Sequence, residues 1–148
     1  MTLDELLAVY GNPHDPKFES TQLAIFQLPY AMTFGAGEGA ALLTRARCHR
    51  LAREKFLAAL QAIKDADLEE EAAEYNGIVQ YRSIRGFAGH LSAHAWGLAI
   101  DLNASRFPLG STKEQHPGVL KAFADAGFVW GGSFQSRKDP MHWTLCGF

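Results

Sequence analysis

The chain has 148 residues, 47% hydrophobic and 20% charged, so it can bury a core of its own and we expect one domain over residues 1–148. A net charge of −2 and the lack of any Lys/Arg-rich run argue against nucleic acid or an anionic membrane as a partner. The first residues have no basic segment and no long apolar run, so we expect cytoplasmic synthesis without a signal peptide or membrane span.

The first half of the chain predicts two helices and an extended segment. Thr2 and Glu5 have the spacing of a capping box, and Gly11 can end the short helix that follows. Residues 22–28 predict a strand or an extended arm. Residues 40–67 contain neither Gly nor Pro and are rich in good helix formers, which predicts one long helix. Its buried stripe is expected to consist of Ala52, Phe56, Ala59, Leu60 and Ile63.

The second half predicts mainly strands. Residues 77–84 and 97–103 alternate apolar and polar side chains, whereas residues 117–127 form a helical pattern that ends in glycine. Residues 128–130 and the segment around His142 predict two further short strands. Helices first and hairpin-like strands later indicate an α+β fold, an antiparallel sheet with helices packed on one face.

Two segments of this predicted sheet carry the side chains of a metal site. In the strand from Gly97 onward, Asp101 faces away from the apolar side chains, and His94 lies just before it. Near the C-terminus, His142 lies on the polar face of another short strand. Two histidines and a carboxylate, with a fourth position open to water, are the usual protein ligands of catalytic zinc. We therefore expect His94, Asp101 and His142 to bind Zn2+, with Asp139 as general base.

The two cysteines, Cys48 and Cys146, do not extend this ligand set. They lie far apart without metal-binding spacing, so buried free thiols are expected rather than a disulfide framework.

The spacing of these residues resembles that of a known peptidase family. Ser92-x-His94-x-x-Gly97-x-Ala99-x-Asp101, followed by Asp139-x-x-His142, is similar to the zinc D-alanyl-D-alanine carboxypeptidases and L-alanyl-D-glutamate endopeptidases (VanY-like). These enzymes share their fold with the hedgehog signalling domain. The resemblance covers roughly residues 81–143.

The resemblance implies a role for each matched residue. It makes His94, Asp101 and His142 the zinc ligands and Asp139 the catalytic acid/base, in a form similar to the phage-type endopeptidases. An arginine on the strand before the motif would hold the substrate or the developing oxyanion, and Arg82 is the better match. The chain departs from the family after Trp143, where Thr144 replaces a frequent acid.

Two further residues are candidates for contact with the substrate. Arg85 competes with Arg82, because related sequences also carry basic residues just after that strand. Ser92 could be mistaken for a nucleophile, but no G-x-S-x-G motif is present, so we expect it to orient the loop or a ligand through a hydrogen bond.

These observations favour a zinc-dependent peptidoglycan hydrolase that cleaves a stem-peptide bond, either L-alanyl-D-glutamate or terminal D-alanyl-D-alanine. We expect a monomer of phage or prophage endolysin type that reaches the cell wall after release from the cytoplasm. One alternative is a metal-binding module of the same fold without catalysis, in a phage particle or a signalling complex. A non-haem iron oxygenase also uses two histidines and a carboxylate, but usually with the first histidine and the acid close together on one strand.

Overall fold

The computed structural model describes residues 1–35 and 37–148, in which four α-helices are combined with eight strands. The helices are α1 (Leu3–Tyr10), α2 (Phe18–Gln22), α3 (Arg53–Asp65) and α4 (Pro117–Asp125). The strands are β1 (Leu23–Phe34), β2 (Ala41–His49), β3 (Glu74–Gly77), β4 (Ser83–Ile84), β5 (Phe87–Leu91), β6 (Ala99–Leu102), β7 (Val129–Trp130) and β8 (His142–Thr144). Three short 3₁₀ helices cover Glu69–Ala72, Ala93–Trp96 and Gly131–Ser133.

Six strands form a mixed but mostly antiparallel sheet in the order β2-β1-β3-β6-β8-β7, and β4 and β5 form a separate hairpin. Strands β1 and β3 pair in parallel, and the other pairs are antiparallel. The predicted α+β class is confirmed.

Helix α1 begins and ends where the sequence predicts. Thr2 and Glu5 form the capping box through both reciprocal hydrogen bonds. The chain leaves the helix at Gly11 with φ +80°, a conformation that costs glycine little.

The prediction of one helix over residues 40–67 is wrong for its first part. Residues 41–49 form β2, which pairs with β1 from Leu23 opposite His49 to Phe34 opposite Ala41. Because the pairing partner lies in another part of the chain, this tertiary contact overrides the local helix preference. Of the predicted helix, only α3 is helical, and it buries Phe56, Ala59, Leu60 and Ile63 as expected. Ala52, the fifth residue of the predicted stripe, is also buried but lies just before the helix.

The predicted strand over residues 77–84 is also only partly correct. β3 ends at Gly77 and β4 spans only Ser83–Ile84, so residues 78–82 lie between the two strands. In this connection the Gln80 amide donates to the His94 carbonyl over 3.0 Å. The connection therefore supports the loop that carries His94 instead of extending the sheet.

The core lies between the sheet and the two longer helices. α3 packs against β1 and α4, and the rings of Phe123 and Trp143 stack at 4.7 Å. Ile100 and Leu102 of β6 are fully buried, and Asp101 between them faces the opposite side of the sheet, as the alternation predicts.

The expected cysteine state is confirmed, since Cys48 and Cys146 are both free and buried. Within residues 1–35 and 37–148, no helix has both the length and the apolar character that a membrane span requires.

Candidate metal centre

Three buried side chains from distant parts of the chain meet on the face of the sheet opposite the helices. We call His94, Asp101 and His142 the ligand group; one potential ligand atom from each lies within 4.8 Å of the others. Asp101 Oδ1 lies 2.9 Å from His142 Nδ1 and 3.3 Å from His94 Nε2. The two imidazole nitrogens are 3.3 Å apart. The predicted convergence of these residues is therefore present in the structure.

Strand register places two members of the group. In the antiparallel pair β6–β8, Asp101 lies directly opposite His142, so both side chains project from the same face. Ile100 and Trp143, one residue along, form the neighbouring pair and are fully buried in the core. A shift of one residue would turn His142 to the other face of the sheet.

The 3₁₀ helix Ala93–Trp96 places the third member, His94. Ser92 caps this turn, its Oγ accepting a hydrogen bond from the His94 amide over 3.4 Å. Gly97 ends it with φ +70°, and a Cβ there would lie 2.7 Å from the backbone nitrogen of His49. The glycine is thus required for both its conformation and the close approach of β2.

The ring of His94 is oriented by the connection after β3. Its Nδ1 donates to the Ile78 carbonyl over 2.9 Å, which leaves the lone pair of Nε2 facing Asp101. Such a hydrogen bond to a backbone carbonyl fixes the tautomer in many metal-binding histidines.

The charges within the ligand group favour an ionised carboxylate. Burial raises the pKa of Asp101, but the hydrogen bond from His142 and the nearby imidazole of His94 outweigh burial and hold that pKa well below its usual range. Burial lowers the pKa of His142, but its hydrogen bond to Asp101 and the charge of Asp101 outweigh that effect and raise the pKa. An anionic oxygen beside two imidazole nitrogens is a donor set that suits zinc.

Asp139 lies next to the ligand group with an unused carboxylate oxygen. Its Oδ1 is buried and has no hydrogen-bond partner among the described residues. Burial raises the pKa of Asp139, the charge of His142 opposes this shift, and the charge of Asp101 adds to it, so the net direction is upward. A carboxylate with a raised pKa and a free oxygen can accept a proton from a nearby water molecule.

A cleft of about 520 Å³ opens beside Asp139 and His142, and it is lined by cationic and apolar side chains. Arg82, Arg85 and Arg137 line its walls, and among the described lining residues Asp139 has the one acidic side chain. The guanidinium of Arg137 donates to the Arg85 carbonyl and links two segments of the rim. Such a cleft favours a substrate with several carboxylates.

The three residues that were predicted to contact the substrate all line this cleft. Arg82 and Arg85 both line it, so their predicted competition stays open. Arg82 is half-buried, and its side chain donates to Gln80 Oε1 and to the Ser83 carbonyl. Ser92 also lines the cleft, and its Oγ accepts a hydrogen bond from the His94 amide, so its orienting role stays a prediction.

Sequence reasoning missed Arg137 and left the remaining histidines as surface or structural residues. The sequence could have indicated Arg137, because it is a cationic residue two positions before the predicted base, Asp139. His90 is exposed and lines the cleft, whereas His49 is fully buried away from it. The Nε2 of His49 donates to the Tyr10 carbonyl over 2.9 Å, a structural role.

Comparison with known proteins agrees with the resemblance inferred from the motif. Residues 85–145, less than half of the chain, match a family model described as D-alanyl-D-alanine carboxypeptidase. The matched stretch contains the whole ligand group and Asp139, and Arg82 lies just outside it. Neither a curated protein nor a solved structure matches the chain.

Proposed function

We propose that this chain is a zinc-dependent peptidoglycan peptidase that hydrolyses a stem-peptide bond, either L-alanyl-D-glutamate or terminal D-alanyl-D-alanine. The observation that carries the proposal is the buried ligand group with Asp139 beside it, at one end of a cationic cleft. The match of residues 85–145 to a carboxypeptidase family supports the same reaction class. An endolysin-type role on the bacterial cell wall, as a monomer, belongs to the proposal.

In this proposal His94 Nε2, Asp101 Oδ1 and His142 Nδ1 hold the zinc ion. When bound, zinc acts as a Lewis acid toward the scissile carbonyl and makes a coordinated water molecule more acidic. The hydrogen bond from His94 Nδ1 to Ile78 keeps the His94 ring in the required tautomer before any metal arrives.

Asp139 acts as the general base and then as the general acid. Its free Oδ1 takes a proton from the attacking water and delivers that proton to the leaving amine. Burial raises the pKa of Asp139 toward neutral pH, and a carboxyl group with such a pKa can more readily both accept and return a proton.

The arginines bind and orient the substrate. Arg82 or Arg85 offers a planar pair of donors to a substrate carboxylate or to the developing oxyanion. Stem peptides carry several free carboxylates, and therefore complement a cleft with three arginines. Ile84, Phe87 and Phe134 add apolar walls that can exclude water from the bound peptide.

The test is mass spectrometry of purified cell walls after digestion, because the new peptide termini identify the bond that is cut. We expect zinc-loaded wild type to release termini and chelated protein to release none. Asp139→Asn should retain zinc and lose about 100-fold to 10,000-fold in kcat. If wild type and Asp139→Asn both bind zinc and neither releases termini, the chain is a metal-binding module. Elemental analysis that finds iron instead of zinc would support an oxygenase.

A further inference from the structure

The carbonyl oxygen of Pro140, the residue after Asp139, accepts hydrogen bonds from two side chains. Gln115 Nε2 and Trp130 Nε1 both donate to it, each over 2.9 Å. Two donors use both lone pairs of a carbonyl oxygen. Because proline has a fixed φ, this anchor restricts the peptide that begins at Asp139.

Gln115 connects the same carbonyl to the ligand strand. It is only 2% exposed, and its Nε2 also donates to the carbonyl of Leu102, the residue after Asp101, over 3.0 Å. Its Oε1 accepts from Asn103 Nδ2 over 2.8 Å. One buried amide therefore spans from β6 to the segment of Asp139, with both its hydrogens and its oxygen in use.

Two glycines after Trp130 provide space rather than an unusual conformation. A Cβ on Gly131 would lie 2.4 Å from the Asp139 carbonyl oxygen and 3.1 Å from His142 Cβ. The Gly131 carbonyl accepts from the Asp139 amide over 3.0 Å. A Cβ on Gly132 would lie 2.1 Å from the indole of Trp130, so this glycine lets the ring reach Pro140.

We infer that Gln115, Trp130, Gly131 and Gly132 form a cradle that positions Asp139 for proton transfer. Gln115, Trp130 and Gly131 are positioning residues, because they contact the backbone of Asp139 and Pro140 and not the reacting atoms. Gly132 acts through the Trp130 ring that packs on it. This inference rests on the proposed function, in which Asp139 is the base. The Oδ1 of Asp139 has no hydrogen-bond partner among the described residues, so in this inference the backbone contacts supply the restraint that the side chain lacks.

The test removes each donor to Pro140 in turn. Trp130→Phe removes the indole donor, and Gln115→Met removes the amide donor while keeping the side-chain length. Tyr30→Phe is the matched control, because the Tyr30 hydroxyl donates to the Ala72 carbonyl over the same 2.9 Å and does not line the cleft. The measurements are kcat and KM on stem peptide, zinc affinity, and hydrogen–deuterium exchange over residues 134–145 in chelated protein.

We expect Trp130→Phe and Gln115→Met each to lower kcat by about tenfold to 100-fold, since small misplacements of a catalytic group cost this much. KM and, for Trp130→Phe, zinc affinity should stay within about twofold of wild type. Exchange over residues 134–145 should rise in both variants and not in Tyr30→Phe. A merely structural role would not separate kcat from KM and zinc affinity in this way.

The inference is overturned if exchange rises while kcat stays within about twofold of wild type, or if exchange does not change. A variant that raises KM and lowers both zinc affinity and kcat also overturns the inference, because it would then disturb the whole site. If zinc-loaded wild type cleaves no wall peptide, the proposed function fails and the catalytic role of the cradle fails with it. If hydrogen–deuterium exchange still rises in the variants, the structural part of the inference is correct and the proposed reaction is wrong.

Discussion

Replacement of His142 by alanine should abolish the stabilisation that zinc gives to the folded chain. His142 lies 41 residues from Asp101 and 48 from His94, so only the folded state holds the three ligand atoms within 4.8 Å. A ligand that binds only the folded state at 100 times its Kd stabilises that state by about 2.7 kcal/mol. For a chain of this length, about 2–4 °C per kcal/mol predicts a rise in Tm of roughly 5–11 °C.

The assay compares thermal unfolding with zinc and with chelator for three proteins. Wild type should show the full rise in Tm, and His142→Ala should show less than about 2 °C, because a chelate with two remaining ligands binds much more weakly. His90→Ala is the control: its imidazole is exposed on the cleft wall and should leave the rise unchanged. Each protein is its own reference, so a lower starting Tm does not affect the comparison. An equal rise in His142→Ala would refute the assignment of the site.

Three further outcomes are expected. Gly97→Ala should lower the free energy of unfolding by about 2–5 kcal/mol in a urea titration, from strain at φ +70° and from the contact of 2.7 Å with the His49 nitrogen; a loss under about 1 kcal/mol would contradict this. If Arg82 holds the substrate, Arg82→Lys should lower kcat/KM by about 10-fold to 100-fold and Arg85→Lys should change it little, and the reverse order would assign the role to Arg85. Burial lowers the pKa of His49 in the folded chain. As the pH decreases below about 6.5, the unfolded chain therefore binds a proton that the folded chain does not bind. The free energy of unfolding should then decrease by up to about 1.4 kcal/mol for each pH unit. His49→Gln should remove that slope from urea titrations at pH 5–7, and an unchanged slope would exclude His49 as its source.

The sequence predicted the parts of the structure that depend on local chemistry. The capping box of α1 needs only Thr2 and Glu5 three residues apart, and the faces of β6 follow from alternation alone. The ligand group was predictable because few residue types bind zinc and their pattern is unusual. The structure then brings together the residues that this chemistry requires.

What the sequence did not predict depends on contacts between distant segments. Residues 41–49 have no strong strand signal of their own and become β2 through pairing with β1. The cradle around Pro140 was missed for a similar reason. Gln115 is an ordinary loop amide in the sequence, and the glycine pair after Trp130 reads as a plain turn until the approach of Asp139 is known.

The ligand group is costly to the fold, and this cost supports a binding role. His94, Asp101 and His142 are 2%, 8% and 5% exposed, so three polar groups occupy positions that apolar side chains could fill. Removing such groups from water costs free energy that hydrogen bonds among themselves only partly return. Their arrangement also leaves lone pairs of His94 and Asp101 facing one another within 3.3 Å, which is unfavourable without a proton or a cation between them. A divalent cation between the three side chains would replace this repulsion with attraction and could also accept the lone pair of a deprotonated His142 Nδ1, whereas a proton can bridge only one pair of atoms.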